Sequence, residues 1–372
     1  MKAAKIIIAG LVFAAIVTCG ISQAQSSSEQ TEQPTQADDS NPLFPIKKDG
    51  KWGYIDQTGN IVITPQFGEA RRFSEGLAVV SIGGKYGYID ETGKIIIDPE
   101  FDNAGDFSEG LAWVQIIESW GDIDKTGKWV LLIGSIAGYI DKTGKYVINT
   151  DVERGNDFSE GLARVVIGSK DGYIDKTGDY VINPQFDGAD DFSEGLARVR
   201  IGGKCGYVDE TGMYVINPEF DEAMPFYEGL ASVGIGDWQT AKHGYIDKTG
   251  KMVINSQFDQ AEGFSDGLAR VRIGDIKTGT WGYIDKTGKM VINPRFDWGG
   301  DFSEGLAAVM IGDLETGKWG YIDKTGNYVI NSQFDGAADF SEGLARVRIG
   351  DFKSGKYGYV DKTGKYVWEP TN

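Results

Sequence analysis

The chain has 372 residues, of which 41% are hydrophobic and 25% charged, and a formal net charge of −18. That acidity repels nucleic acid and anionic lipid, so neither is expected as an electrostatic partner. A single histidine rules out paired-histidine and multi-histidine zinc sites.

Residues 1–24 read as a signal peptide. Lys2 and Lys5 precede an apolar run over 6–17 that is too short to span a bilayer comfortably. Ser22-Gln23-Ala24 offers the small residues that signal peptidase reads, so cleavage after Ala24 is expected, with a retained anchor as the lesser alternative. Cleavage would remove two lysines and no acid, taking the charge from −18 to −20. Ile16-Val17-Thr18-Cys19 also resembles a bacterial lipoprotein box, although Thr18 stands where Gly, Ala or Ser is usual. The expected location is therefore outside the cytoplasm: periplasmic, cell-surface or extracellular. Membrane contact is expected only if Cys19 is lipidated. Residues 25–42 carry no large apolar side chain and cannot bury enough surface to offset ordering entropy, which predicts a disordered polar linker.

From residue 43 to 372 the chain repeats itself. A Gly-Tyr-Ile/Val-Asp-x-Thr-Gly string occurs nine times, beginning at 53, 87, 138, 172, 206, 244, 282, 320 and 358, and a tenth copy at 121–127 has Asp122 in the tyrosine position. Each unit carries three strand-like pieces. In 196–201, Ala197, Val199 and Ile201 alternate with Arg198 and Arg200, the period of a half-buried strand. Gly202-Gly203-Lys204 turns the chain into a second strand, Glu210-Thr211-Gly212 turns it again, and Pro218 closes a third. The expected unit is a three-stranded antiparallel meander. Units are joined by linkers such as 186–195, whose two phenylalanines recur in register and are expected to plug the space between neighbouring sheets.

Spacing adds detail. The string tyrosines fall 34 residues apart early and 38 apart from Tyr207 onward, and the four extra residues lengthen the hairpin between the first and second strands. Only 17 residues separate Asp122 from Tyr139, which predicts one five-stranded sheet over about 111–149. Residues 43–46 stand as a degenerate first strand, so nine whole sheets fit in 43–372 with no blade split between the termini. The predicted fold is all-β, a tandem array forming an open or incompletely closed spiral, with a closed β-propeller as the alternative.

The chemistry-bearing residues mostly repeat with the unit. Asp56, Asp90, Asp175, Asp209, Asp247, Asp285, Asp323 and Asp361 each precede a turn whose N–H groups they can bind, and identical acids in every unit argue against one catalytic pair. Linker acids such as Asp187, Asp190, Asp191 and Glu194 do not match a recognised calcium loop and read as solvated faces; whether they bind Ca²⁺ is left open. Arg198, Arg200, Arg270, Arg272, Arg346 and Arg348 form an outward stripe expected to pair with acids. Cys205 and His243 occupy a slot that elsewhere holds Trp or Tyr, so both are expected as packing residues. No catalytic, metal or cofactor residues are expected, and the chain reads as non-enzymatic. Trp238, in a lengthened hairpin, and Trp298, in a linker, match no repeated aromatic and form the candidate binding patch.

The strings 51–56 and 318–323 (Lys-Trp-Gly-Tyr-Ile-Asp), with the Phe-Ser-Glu-Gly-Leu-Ala segments, closely resemble bacterial WG-repeat (KWG-repeat) proteins across roughly 43–372, with departures at Asp122, Ala137, Asp171, Cys205 and His243. The resemblance implies an all-β repeat fold and an interaction role, and carries over no catalytic residues. The resulting expectation is an exported repeat scaffold whose partner is an unknown protein or envelope component. The alternative is a carbohydrate- or peptidoglycan-binding module that uses loop aromatics.

Overall fold

Each repeat folds as a small twisted sheet because its turn chemistry fixes where the chain reverses. In the turn after the second strand, Asp56 Oδ1 accepts hydrogen bonds from Thr58 N (2.8 Å), Thr58 Oγ1 (2.7 Å) and Asn60 N (2.9 Å). The same arrangement recurs at Asp90, Asp175, Asp209, Asp247, Asp285, Asp323 and Asp361, as the sequence led one to expect. The glycine between the two rings of Trp-Gly-Tyr is needed for a different reason. The third strand bulges past it, and a Cβ on Gly282 would lie 2.5 Å from the carbonyl oxygen of Ile292.

The computed structural model describes residues 41–123, 129–150, 152–237, 240–313 and 315–371. The leader at 1–24, with Cys19, and the spacer residues 25–40 fall outside these, as does the Lys125-Thr-Gly127 turn. The described residues form nine antiparallel sheets and no helix. They are the blades of a ring: blade 1 over 44–67, then 69–101, 103–150, 154–186, 188–220, 222–258, 260–296, 298–334 and 336–371 for blades 2 to 9.

Blades 2 to 9 each have four strands rather than the expected three. The additional strand comes from the linker, such as Glu69–Ser74, and pairs with the strand that follows it. Linkers were expected only to carry plugs. They do carry them, but a segment placed antiparallel to the next strand also satisfies its own backbone in the ladder. Among the described residues, which begin at 41, blade 1 has three strands. In the other blades a Glu-Gly pair, or Asp266-Gly267 in blade 7, forms the turn that leads into the next strand, with both residues at positive φ (Glu75 51°, Gly76 83°). The corresponding positions before Leu43 are Asn41 and Pro42, and the proline ring holds φ negative, so that turn cannot form.

The five-stranded expectation for 111–149 is corrected. Leu111–Ile123 and Trp129–Asp141 are two 13-residue strands in one long hairpin, and the sheet has four strands. The pairing runs without interruption from Leu111↔Asp141 to Ile123↔Trp129. The half-repeat insertion is therefore absorbed by extending an existing ladder, which pairs the added residues with one another without adding a strand. In blades 6 to 9 the four extra residues lengthen the hairpin tip, as expected; Asp275, for example, accepts from Lys277 N (2.8 Å) and Thr278 N (3.0 Å).

Neighbouring blades lock through two buried rings. The string tyrosine of one blade packs against the linker phenylalanine of the next: Tyr54 on Phe73 with centroids 4.9 Å apart, Tyr88 on Phe107 at 4.9 Å, and so on to Tyr321 on Phe340 at 4.8 Å. Each tyrosine hydroxyl donates to a carbonyl of that same linker, as Tyr54 does to Arg71 O at 2.8 Å. Burial pushes these hydroxyls' pKa values far up, led by desolvation, so they remain neutral donors.

The array closes on itself, which decides between the spiral and the propeller. Tyr359 of blade 9 packs edge-on against Phe44 of blade 1 with centroids 5.5 Å apart, and its hydroxyl donates to Pro45 O at 2.9 Å. Phe44 and Pro45 thus do for blade 1 what the linker does elsewhere. Thr371 Oγ1 donates to Lys47 O at 2.7 Å, and Phe44, Ile46, Ile55, Leu344 and Tyr359 make one buried cluster. The fold is a nine-bladed β-propeller. Phe44 is fully buried, so Phe44→Ala is expected to lower the unfolding free energy by about 3–5 kcal/mol. Urea denaturation followed by tryptophan fluorescence measures this, and a loss well under about 1 kcal/mol would mean that this closure contributes little.

Candidate functional site

The turn Phe-Ser-Glu-Gly builds a belt around the ring. The glutamate of one blade reaches the turn of the next and accepts from its glycine N–H: Glu75 from Gly110 (3.0 Å), Glu160 from Gly195 (2.8 Å), Glu304 from Gly343 (3.0 Å). Asp266 makes the equivalent contact to Gly305 at 2.7 Å. A lysine from the Asp-Lys-Thr-Gly turn of that next blade then pairs with the same carboxylate, as in Lys142–Glu75 (3.2 Å) and Lys362–Glu304 (3.1 Å). The serine hydroxyl donates onward to the next linker, as Ser74 does to Phe107 O at 2.7 Å. At the closure Gln57 stands in the lysine position and donates to Glu342 O at 2.8 Å. These glutamates are structural, and solvated linker faces account for only part of the acids.

The inner strands bring charges of several blades together. Asp157 of blade 4 senses Asp106 of blade 3, Asp191 of blade 5 and Arg71 of blade 2, which places these strands around the ring axis. Burial raises the Asp157 pKa to about 6, with Asp106 and Asp191 adding to the rise and Arg71 opposing it. Asp191 and Asp339 are also raised, burial being the main cause in each. Counter-ions sit close by: Arg71–Asp106 at 3.6 Å, Arg164–Asp191 at 3.8 Å and Arg270–Asp301 at 2.9 Å. Among the described residues no group of three or more His, Cys, Asp or Glu side chains is placed to hold a metal ion.

The arginine stripe pairs with acids and with rings. Arg198 is bidentate to Asp190 (2.5 and 2.7 Å), whereas Arg270 and Arg272 lie over Trp281, and Arg346 over Tyr357. Stacking on the repeat's aromatic slot was not anticipated from alternation alone. Cys205 is a free, buried thiol.

The two candidate patch residues are not brought together in the described structure. Trp238 lies outside the described residues. Trp298 begins the inner strand of blade 8, is 42% exposed, and packs on the buried Trp281 of blade 7 with centroids 5.8 Å apart. Arg270 donates to Gly299 O beside it. The patch is thus one exposed indole on a buried indole flanked by guanidinium groups, a surface suited to a flat apolar or hydroxylated group.

The repeat family described as WG containing repeat matches residues 52–86, 86–116, 138–170, 172–205, 206–237, 244–275, 281–314 and 319–351. The chain belongs to this family. No curated protein matches this WG-repeat chain. Among solved structures it is similar to the tricorn protease (13% identity, TM-score 0.33, 84% of this chain and 37% of that one). It is also similar to a quinonprotein alcohol dehydrogenase-like protein from Bacteroides thetaiotaomicron (13%, TM-score 0.37, 73% and 85%). A third similar structure is Hsv2 from Kluyveromyces lactis (9%, TM-score 0.39, 77% and 95%). The chain spans only about a third of the tricorn protease's length. Ring closure follows from the contacts of blades 1 and 9.

The Asp157 environment gives a pH prediction with a definite sign. Its folded pKa lies above the ordinary carboxylate value, so it binds a proton more tightly folded than unfolded, and its stabilising effect is lost as pH rises from about 4 to about 6. Asp157→Asn is therefore expected to stabilise the WG ring at pH 7 by about 1 kcal/mol, after discounting for solvent screening, and to have no such effect at pH 4. Paired urea titrations at the two pH values test this; an equal gain at both would assign the effect to packing instead.

Proposed function

We propose that this WG-repeat chain is an exported, non-enzymatic scaffold that holds protein partners in the bacterial envelope or outside the cell. The observation that carries the reading is the division of labour within each repeat. The belt residues and the Tyr–Phe lock recur with little change from blade to blade, while the hairpin tips and inner-strand positions differ. A ring whose neighbours interlock by backbone and buried-ring contacts tolerates change at its tips without loss of its core. The signal-like residues 1–24 and the net charge of −18 support export and a basic or cationic partner surface over nucleic acid. Lipidation at Cys19 would tether the ring to a membrane through the polar spacer.

The test is capture from envelope extracts on the immobilised ring and on a variant whose four long tips are cut to Gly-Gly turns. Specific capture by the native ring, lost in the shortened variant, is the expected outcome. Capture no greater than that of an unrelated propeller would sink the proposal.

A second reading is favoured by the exposed indole of Trp298: a carbohydrate or peptidoglycan surface using loop aromatics. A glycan array with the native chain, Trp298→Ala and Trp238→Ala separates it from the first. The expected result for a glycan surface is a signal lost on removal of either indole, and a signal unchanged by both substitutions would remove these two sites.

A further inference from the structure

The lengthened tips of blades 6 to 9 share one plan. They read Gly-Asp-Trp-Gln-Thr-Ala over 236–241, Gly-Asp-Ile-Lys-Thr-Gly over 274–279, Gly-Asp-Leu-Glu-Thr-Gly over 312–317 and Gly-Asp-Phe-Lys-Ser-Gly over 350–355. A large apolar residue follows the aspartate in every one: Trp238, Ile276, Leu314 and Phe352. The aspartate fixes the turn. Asp275 takes the N–H groups of Lys277 and Thr278 on its carboxylate and that of Gly279 on its carbonyl (2.8 Å). Asp313 and Asp351 each repeat all three bonds, and Asp237 accepts from Thr240 N at 3.0 Å. The foot of each tip is also held, since Gly274 N donates to Asp259 (2.9 Å) and Gly350 N to Asp335 (2.8 Å). A turn closed across its base by these bonds leaves the residue after the aspartate pointing outward. Ile276 is 75% and Phe352 82% exposed, the two barest large apolar side chains among the described residues. At the foot of the tips Ile235, Ile273, Ile311 and Ile349 are exposed as well.

The tips stand on one face and on one arc of it. Each joins two strands at the end away from the Phe-Ser-Glu-Gly turn, so all four project from the face opposite the belt. Blades 2, 4 and 5 turn the same corner with only Gly83-Gly84, Gly168-Ser169 and Gly202-Gly203. The side chains that protrude are therefore four neighbours on stiff hairpins.

The geometry points to this arc as a docking edge for a lipid bilayer of low surface charge, with the four apices sunk among the headgroups and upper acyl chains. The apices agree in size and apolarity and in nothing else: an indole, two branched aliphatics of different shape and a phenyl ring. A close-packed protein pocket discriminates among such shapes, whereas a fluid apolar layer rewards only the area removed from water. Single side chains on separate hairpins suit insertion better than they suit the continuous, densely packed core of a protein interface. Charge narrows the choice of lipid. The next residues are Gln239, Lys277, Glu315 and Lys353, which give the tips no basic cluster, and the chain as a whole carries −18. An anionic surface would repel it, and a zwitterionic one would not. The contact needs no acyl chain at Cys19 and would add to one. It goes beyond the scaffold reading and does not rest on it, because vesicle binding and capture of a protein from lipid-free extract can each fail while the other holds.

The test uses residues 25–372, the chain left by the expected cleavage, which has neither the apolar leader nor Cys19. Phosphatidylcholine vesicles are sedimented with the native chain, with the double variant Ile276→Ser/Phe352→Ser, and with a fourfold variant that adds Trp238→Ser and Leu314→Ser. The native chain is expected to co-sediment saturably and with little response to added salt. The double variant should bind at least about tenfold more weakly and the fourfold variant weaker still. Because the replaced Ile276 and Phe352 side chains are exposed, the thermal midpoint of the double variant should not move. An environment-sensitive dye on Ile276→Cys reads the apex itself, since the remaining thiol, Cys205, is buried. Its emission should shift to the blue on vesicles, while the same dye on Lys94→Cys, in an Asp-x-Thr-Gly turn of the belt face, should not respond. No vesicle binding, equal binding by the native and fourfold forms, or a response at Lys94 without one at Ile276 would overturn the proposal. So would lipid-free self-association that the double variant abolishes, which would assign the apices to a second copy of the chain. Tip-dependent capture of a protein without vesicle binding would likewise overturn it and assign them to that protein.

Discussion

The ring depends on a carboxylate that crosses from one turn to the next. In each Glu-Gly turn the glutamate sits at positive φ, an unusual choice where Asn or Asp is the common residue. From there its carboxylate meets the glycine N–H of the neighbouring turn, and Asp266 in blade 7 makes the same contact to Gly305 at 2.7 Å. The lysines that join the same carboxylates are nearly half exposed and add little by themselves. The charged acceptor on a backbone donor is the stronger and more directional part. Because the same contact recurs between blades 2 and 9, each blade is set against its neighbour in the same way, and a constant step between identical units closes into a ring.

Closure then needs one exception. Among the described residues blade 1 has three strands, and Pro42 stands where the other blades have the turn glycine. Its first strand compensates with Phe44 for the linker ring and Pro45 O for the linker carbonyl. Gln57 replaces the belt lysine and meets Glu342 through an uncharged hydrogen bond. Among the described residues blades 1 and 9 are thereby joined by packing and single hydrogen bonds rather than by a shared sheet.

With the frame carried by a few recurrent contacts, the remaining positions are free to differ, and they differ locally. Blade 3 spends its insertion on a long hairpin, blades 6 to 9 theirs on longer tips, and blade 8 adds an exposed indole. Repeats make such departures visible. An exposed isoleucine on a turn is unremarkable in most proteins, but here three other tips put a large apolar residue at the same position, at Trp238, Leu314 and Phe352. The bare side chain of Ile276 is informative because the ring shows that blades 2, 4 and 5 turn the same corner without one.

Local chemistry was legible in the sequence because it depends on near neighbours. Alternation gave the strands, Asp-x-Thr-Gly gave the turns, the 34- and 38-residue periods gave the units and the lengthened tips, and the linker phenylalanines gave the plugs. What escaped it depends on partners far along the chain. That a linker pairs as a fourth strand, that the insertion near 122 extends a ladder instead of adding strands, and that Tyr359 finds Phe44 all follow from which surfaces meet once the blades are stacked. The candidate tryptophans were singled out as breaks in a pattern, yet Trp238, which matches no repeated aromatic, does match a repeated apolar position. That Ile276 and Phe352 stand bare at this position comes from the bonds that close the turn beneath them. The sequence by itself determined the repeating module and its family, because period and turn residues act over a few positions. Only the tertiary structure decided that nine modules close into a ring, because closure depends on how blades pack against each other.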